Sequence, residues 1–136
     1  MLKHHFPAVF TAICLLAVVV SCENNTYASG GRLYKSTCAN CHMETGEGLA
    51  GLIPPLAGAD YLTKNRDKLA CIIRYGLEDT ITVNGRVFTE KMDGMPGLSD
   101  IQITNLLNYI NNSWGNANPA FSYEEVTEIL SKCKSQ

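Results

Sequence analysis

The sequence has little positive charge and few histidines, and its N-terminal apolar run is too short to cross a membrane. There are 11 lysine and arginine residues against 13 acidic ones. Only Lys3 precedes the first acidic residue, Glu23, so residues 22–136 carry 10 basic and 13 acidic side chains and a formal charge of −3. This balance excludes the basic face that nucleic-acid binding needs. Repeats and low-complexity tracts are also absent, and 136 residues suffice for one modest domain.

The N-terminal segment is typical of an export signal. A polar start precedes an apolar run over residues 10–20, and a polar stretch follows it directly. Since the run is short for a membrane span, we expect a cleaved signal peptide over residues 1–21. The Val-Val-Ser-Cys ending resembles a bacterial lipobox, which implies that Cys22 is acylated and becomes the mature N-terminus. The alternative is an ordinary signal peptide in which Cys22 is incidental.

Hydrophobic periodicity predicts a mainly helical domain. Gly76 is expected to end one helix in a left-handed cap. Ser99 with Gln102, and Ser122 with Glu125, form capping boxes that begin two others. The predicted helices cover residues 30–38, about 65–75, the segment after Ser99 and the segment after Ser122.

Two segments are predicted to be non-helical. Residues 46–58 contain four glycines and two adjacent prolines, which indicates a loop. Residues 81–88 place two β-branched runs around Asn84-Gly85, a dipeptide typical of tight hairpins because both turn positions need positive φ. We therefore expect a small β-hairpin there.

Cys38-Ala39-Asn40-Cys41-His42 is a Cys-x-x-Cys-His motif, the signature of covalent haem attachment. The thiols of Cys38 and Cys41 would each add to a vinyl group, and His42 would bind the iron. The two other histidines lie in the predicted signal peptide, so His42 is the only histidine of the mature chain. Haem attachment of this type occurs outside the cytoplasm, in agreement with the export signal.

Two other chemistries use closely spaced cysteines. Cys38 and Cys41 could form a disulfide, as in thiol oxidoreductases, but such motifs belong to a βαβ setting and a glycine-rich loop follows here. A zinc site that includes His42 would need further paired ligands. The remaining mature thiols besides Cys22 are Cys71 and Cys133, which lie far apart in the chain.

The iron of a low-spin haem needs a sixth ligand, and methionine is the strong candidate that remains. Met43 is excluded because it is adjacent to His42, on the proximal side of the haem. Met92 and Met95 lie well after His42, in a loop that could wrap over the opposite face.

Further motifs between residues 30 and 116 resemble those of class I cytochromes c, in particular the bacterial subgroup also found fused to copper nitrite reductases and oxidases. The resemblance implies an all-α class I cytochrome c fold, with helices around one covalent haem c, a small β-hairpin and an extra C-terminal helix. The motifs are Gly-x-x-x-Tyr-x-x-x-Cys-x-x-Cys-His, Gly46-Glu47-Gly48, Pro54-Pro55-Leu56-Ala57-Gly58, Val83-Asn84-Gly85, Leu98-Ser99-Asp100, Asn108-Tyr109-Ile110 and Ser113-Trp114-Gly115-Asn116.

The resemblance implies two conflicting assignments of the sixth ligand. In the subgroup the hairpin continues as Asn-Gly-x-x-aromatic-x-x-x-Met, which indicates Met92. A Met-Pro dipeptide is the more usual signature of the whole class, and it indicates Met95. We favour Met92 because the hairpin fixes its register, with Met95 as the alternative. The resemblance also places Pro54 and Leu56 at the haem, with the Pro54 carbonyl accepting the Nδ1–H of His42.

Three aromatic residues are expected near the helix crossing of the haem domain. By the same resemblance, Tyr34 and Tyr109 pack where the first and last helices of that domain cross, with Gly30 or Gly31 allowing a close approach. Trp114 either forms a wall of the haem pocket or packs at the end of a helix.

The chain is therefore expected to divide into four parts. After the signal peptide (1–21), residues 22–28 form a lipidated tether, residues 29–116 the haem domain and residues 117–136 a C-terminal helical extension. Cys71 and Cys133 are not haem ligands. As an exported pair they could form a disulfide that holds the extension against the helix of Cys71.

With both axial positions filled by protein, no site remains for a small-molecule substrate. We therefore predict an electron carrier of a respiratory or reductase/oxidase chain, not an enzyme, on the periplasmic side of a bacterial membrane. Its partners would be redox protein donors and acceptors, with membrane contact through the lipid anchor. One alternative is a ligand sensor or peroxidase with an open sixth position, for which Arg86 is the only nearby distal candidate. Another is a fixed subunit of a larger oxidase or reductase.

Overall fold

A computed structural model describes residues 27–133. The predicted signal peptide, the lipidation site Cys22 and residues 134–136 lie outside the described residues. The helices are α1 (Ala28–Thr37), α2 (Ala39–His42), α3 (Asp60–Lys64), α4 (Leu69–Tyr75), α5 (Asp100–Asn111) and α6 (Tyr123–Lys132), with a 3₁₀ turn at Arg66–Lys68. The strands are β1 (Gly76–Leu77), β2 (Ile81–Val83), β3 (Arg86–Phe88) and β4 (Met92–Asp93). Between residues 27 and 133 no helix combines the length and the hydropathy of a membrane span.

The core is organised by the crossing of α1 and α5. A Cβ atom added to Gly30 would lie 2.1 Å from the carbonyl oxygen of Asn105 and 2.7 Å from the Cβ of Tyr109. Only glycine fits at this contact. Tyr34 is fully buried beside the crossing, and its ring centroid lies 5.4 Å from that of Tyr109. The expected packing of these tyrosines around a glycine is confirmed.

Four short strands form two separate ladders. The predicted hairpin is confirmed: β2 and β3 pair with Val83 opposite Arg86, and Asn84 and Gly85 have φ values of 50° and 75°. The second ladder joins β1 to β4, with Leu77 opposite Met92, and was not predicted. It connects the end of α4 to the methionines.

The region around α4 departs from the predicted single helix over residues 65–75. A 3₁₀ turn precedes α4, and the short helix α3 was missed because five residues carry too little periodicity. Gly76 ends α4 with φ 90° as expected, but its ψ of −171° is extended rather than left-handed helical, since the chain passes directly into β1.

The N-termini of the last two helices agree only in part with prediction. The capping box of Ser99 and Gln102 is complete. The second box is half formed. The Ser122 hydroxyl accepts the N–H of Glu125, but the Glu125 carboxylate binds Arg66 instead of accepting the backbone N–H of Ser122. Pairing with a guanidinium is the stronger interaction for a carboxylate.

The extension that follows α5 packs against α4 and α5 and contributes buried side chains to the core. Phe121 is buried, and the Asn108 carboxamide both donates to its carbonyl (3.0 Å) and accepts its N–H (2.7 Å). Arg66 lies 3.6 Å above the Phe121 ring and donates to the Pro119 carbonyl and to both carboxylate oxygens of Glu125. The extension is thus part of the same hydrophobic core.

We expect Gly30→Ala to destabilise the fold by about 1–3 kcal/mol, because its methyl group would meet backbone and force the helices apart. The steric cost is larger than the roughly 1 kcal/mol of helix propensity by which alanine exceeds glycine. Gly31→Ala is the matched control, since its methyl would meet only the edge of the Tyr109 ring at 3.0 Å. Denaturant unfolding of the haem-loaded proteins measures both. Equal stability of the two variants would contradict the proposed close contact.

Candidate functional site

One cavity of about 320 Å³ collects the candidate haem-binding residues. Cys38, Cys41, His42, Pro54, Leu56, Met92 and Met95 all line it. The rest of its lining is mostly apolar and comes from all parts of the fold: Ile53, Pro55, Ala59, Tyr61, Leu62, Leu69, Ile72, Ile73, Leu77, Ile81, Val83, Phe88, Leu106, Leu107 and Ile110.

Two consecutive helices bring the motif to the cavity. Cys38 lies between α1 and α2 and donates its N–H to the Tyr34 carbonyl, and His42 donates its own to the Cys38 carbonyl at 2.9 Å. One helical turn therefore brings both thiols and the imidazole to the same cavity. Cys38 is buried and Cys41 is exposed, and the two are not bonded to each other. Burial is the main cause that raises the pKa of the Cys38 thiol.

The His42 ring is oriented by the loop that follows it. Its Nδ1 lies 3.1 Å from the Pro54 carbonyl oxygen. Because a carbonyl can only accept, Nδ1 carries the hydrogen and Nε2 keeps a free lone pair. Burial lowers the pKa of His42, and the hydrogen bond to Pro54 opposes that shift. The result is a neutral imidazole with one nitrogen available to a metal.

Glycine lets the proximal loop (residues 43–58) bring the Pro54 carbonyl close enough to His42 for this hydrogen bond. Gly48 has a φ of 67°, and a Cβ there would lie 2.4 Å from the Ile53 carbonyl oxygen and 2.7 Å from that of Pro54. The Gly46 carbonyl accepts the N–H groups of Leu56 and Ala57 at 2.7 and 2.9 Å. These contacts fix the position of the Pro54 carbonyl.

Asn116 links the proximal loop to the end of α5. Its Nδ2 donates to the carbonyls of Leu56 and Ile110, both at 2.9 Å, and its Oδ1 accepts the N–H of Gly58 at 2.8 Å. In the sequence Asn116 is recognisable only as part of a family motif, because the role of its carboxamide depends on backbone groups that come together on folding.

An aromatic cluster that includes Tyr34 and Trp114 holds the residues that directly follow the attachment motif. The Tyr34 hydroxyl donates to the Met43 carbonyl at 2.6 Å, and the Trp114 indole N–H donates to the Glu44 carbonyl at 3.1 Å. The Trp114 ring centroid lies 4.8 Å from that of Tyr34. Trp114 does not line the cavity. Of its two expected roles, packing at the end of a helix is the one observed.

The two candidate methionines are held differently. Met92 lies in β4 opposite Leu77, and its neighbour Asp93 has a side chain that is 93% exposed. Met92 is half-buried and lines the cavity. Met95 packs partly buried against the hydrophobic core, and its N–H donates to the Ile73 carbonyl at 2.8 Å.

The donor set suits a haem. A large apolar cavity with two thiols, an imidazole with a free Nε2 and two thioethers offers what covalent attachment and axial ligation require. The cytochrome c family model matches residues 27–114. The chain belongs to the cytochrome c family. It is a class I c-type cytochrome, and its family binds one covalent haem c in a domain of this size, so the predicted fold and cofactor are confirmed.

Individual relatives agree with this membership. Two proteins named cytochrome c-552 from Thermus thermophilus are each 36% identical over 114 residues, which cover 77% of this chain and 86% and 76% of theirs. The cytochrome c subunit of a quinone alcohol dehydrogenase from Gluconacetobacter polyoxogenes is 32% identical over 119 residues. That match covers 83% of this chain but only 25% of the subunit.

We expect Gly48→Ala to raise the reduction potential of this cytochrome by up to about 40 mV. The added methyl would displace the Pro54 carbonyl and weaken its bond to His42, and a less basic imidazole stabilises ferric iron less. Loss of one hydrogen bond of ~1 kcal/mol corresponds to roughly this shift for one electron.

Gly51→Ala is the control, because Gly51 also has a positive φ (81°) but no atom lies within 4 Å of its added Cβ. It should lose about 1 kcal/mol of stability with an unchanged potential. Equal potentials in both variants, measured by redox titration, would contradict the role of Pro54.

Proposed function

We propose that this cytochrome carries single electrons between redox proteins, with its haem linked to Cys38 and Cys41 and its iron bound by His42 and Met92. The observation that carries the proposal is that all four residues line one apolar cavity. The haem supplies reversible one-electron exchange.

The protein's own residues create the conditions for that exchange. Cys38 and Cys41 would hold the haem through thioether bonds, and the Pro54 carbonyl keeps the His42 ring in one orientation. The surrounding aliphatic side chains exclude water and keep the site rigid, so little reorganisation accompanies a change of charge.

Two observations favour Met92 over Met95 as the sixth ligand. Pairing of β4 with β1 holds the Met92 backbone beside the cavity, whereas Met95 packs against the hydrophobic core. A methionine thioether raises the reduction potential relative to a second nitrogen ligand, which suits a carrier that accepts electrons readily.

The alternative of a sensor or peroxidase has less support. Arg86, the distal candidate, is exposed in the hairpin and does not line the cavity. Within residues 27–133 the buried side chains able to act as an acid or base are Tyr34, Cys38 and His42. Cys38 and His42 belong to the attachment motif, and Tyr34 does not line the cavity and donates its hydroxyl to the Met43 carbonyl. The charged lining residues Glu90, Lys91 and Asp93 are exposed.

We further propose that Cys22 carries lipid and holds the protein on the periplasmic side of a bacterial membrane. Such confinement would raise its effective concentration near membrane-bound donors and acceptors. Relatives named as cytochrome subunits of alcohol and fructose dehydrogenases support redox proteins as partners, either as transient ones or within a larger assembly.

Met92→Ala should abolish the weak far-red absorption band of methionine-bonded ferric haem and lower the reduction potential. Met95→Ala, the matched control three residues away, should keep the band. Visible spectra and redox titration of both ferric proteins test this. Loss of the band only in Met95→Ala would assign the sixth ligand to Met95 instead. A wild-type protein that lacks the band and binds azide or carbon monoxide at once would favour the sensor.

Cys22→Ala should move the protein from the membrane fraction to the soluble fraction without changing its haem spectrum, because it removes the acylation site only. Fractionation of cells and mass analysis of the mature N-terminus measure this. A wild-type N-terminus without acyl chains would contradict the anchor.

A further inference from the structure

Helix α4 and strand β1 support the methionine segment (residues 92–96) along its whole length. Strand β1 pairs with β4, and the Ile73 carbonyl accepts the N–H of Met95. Arg74 donates to the Pro96 carbonyl at 3.4 Å and to Asp100 at 2.6 Å. The position of this segment therefore depends on the position of α4.

The contact leaves no room for independent movement. A Cβ on Gly94 would lie 2.4 Å from the carbonyl carbon of Tyr75, and one on Gly76 would lie 2.5 Å from the Met92 oxygen. Backbone meets backbone here, so no flexible side chain can absorb a shift of α4 before it reaches Met92.

The other side of α4 is held by the extension (residues 117–133). Cys71 on α4 is bonded to Cys133 at the end of α6, with a Cα–Cα distance of 5.7 Å. Just before α4, Arg66 pairs with Glu125 through two 2.9 Å contacts. The extension contributes no residue to the cavity lining. It reaches the cavity through α5, whose Leu106, Leu107 and Ile110 line it, and it reaches the methionine segment through α4.

We propose that Cys71 and Cys133 are positioning residues for the sixth iron ligand. Their bond keeps the extension docked on α4, and docked α4 keeps the methionine segment over the haem. This inference rests on the proposed ligation by Met92. It assigns to the extension a role at the iron in addition to its contribution to overall stability.

The test compares wild type with Cys71→Ala/Cys133→Ala as ferric, haem-loaded proteins, well below their unfolding temperatures. Azide is the probe, since it binds only when the methionine leaves the iron. We expect the azide-binding rate of the double variant to rise at least about tenfold, with a weaker far-red band, because local opening becomes easier. Arg66→Lys keeps the disulfide but loses the bidentate pairing with Glu125. It should raise the azide-binding rate and weaken the far-red band, each by less than the double variant does.

Two controls separate positioning from general stability. Lys132→Ala removes an exposed ion pair with Glu128 on α6 and should leave the azide rate unchanged. Gly30→Ala weakens the α1–α5 crossing, away from α4, and should lower the unfolding midpoint without raising the azide rate.

Two outcomes would overturn the inference. One is a wild-type azide rate in the double variant, with the far-red band intact in both proteins. The other is an azide rate that rises in Gly30→Ala and in the double variant in proportion to their loss of stability. A wild type that lacks the band contradicts the proposed ligation itself, which separates the two failures.

Discussion

The hydrogen bond between His42 and the Pro54 carbonyl is the interaction on which the rest of the site depends. It fixes the tautomer of the imidazole and therefore decides which nitrogen is free to bind the iron of the proposed haem. A backbone carbonyl is positioned by the path of the main chain, so the whole proximal loop has to hold the Pro54 carbonyl in place. The close approach at Gly48 and the carboxamide of Asn116 both serve this purpose. The C-terminal end of α5 thus contributes to the proximal ligand without touching it.

The two sides of the cavity are built on different principles. The proximal side follows directly from the attachment motif, whose residues are contiguous and share one helical turn. The distal side is assembled from segments that are remote in sequence, with β4 paired to β1 and the Met95 N–H bound to α4. Methionine is a weaker ligand than histidine, so it gains more from a rigid support. The support here is backbone contact reinforced by Arg74.

The sequence predicted well what short-range patterns encode. The attachment motif, the hairpin at Asn84-Gly85 and the capping box at Ser99 all depend on residues within a few positions of one another, and each has a direct physical reason. The β1–β4 ladder was missed because two-residue strands carry no alternation, and Gly76 and Gly94 were its only signal. The pairing of Arg66 with Glu125 was missed as well, since the local capping pattern gave that glutamate a nearer partner. Long-range pairing thus overrides local preference where a stronger partner becomes available.

The described chain holds two pairs of cysteines with opposite requirements. The proposed haem attachment needs free thiols at Cys38 and Cys41, whereas Cys71 and Cys133, 62 positions apart, are joined. In an unfolded chain the near pair meets far more often than the distant pair, so an early oxidant would block the attachment motif. The distant pair meets reliably only after α6 has docked on α4. Closure of the distant pair therefore reports that the extension has folded into place, whereas the near pair can meet before any folding.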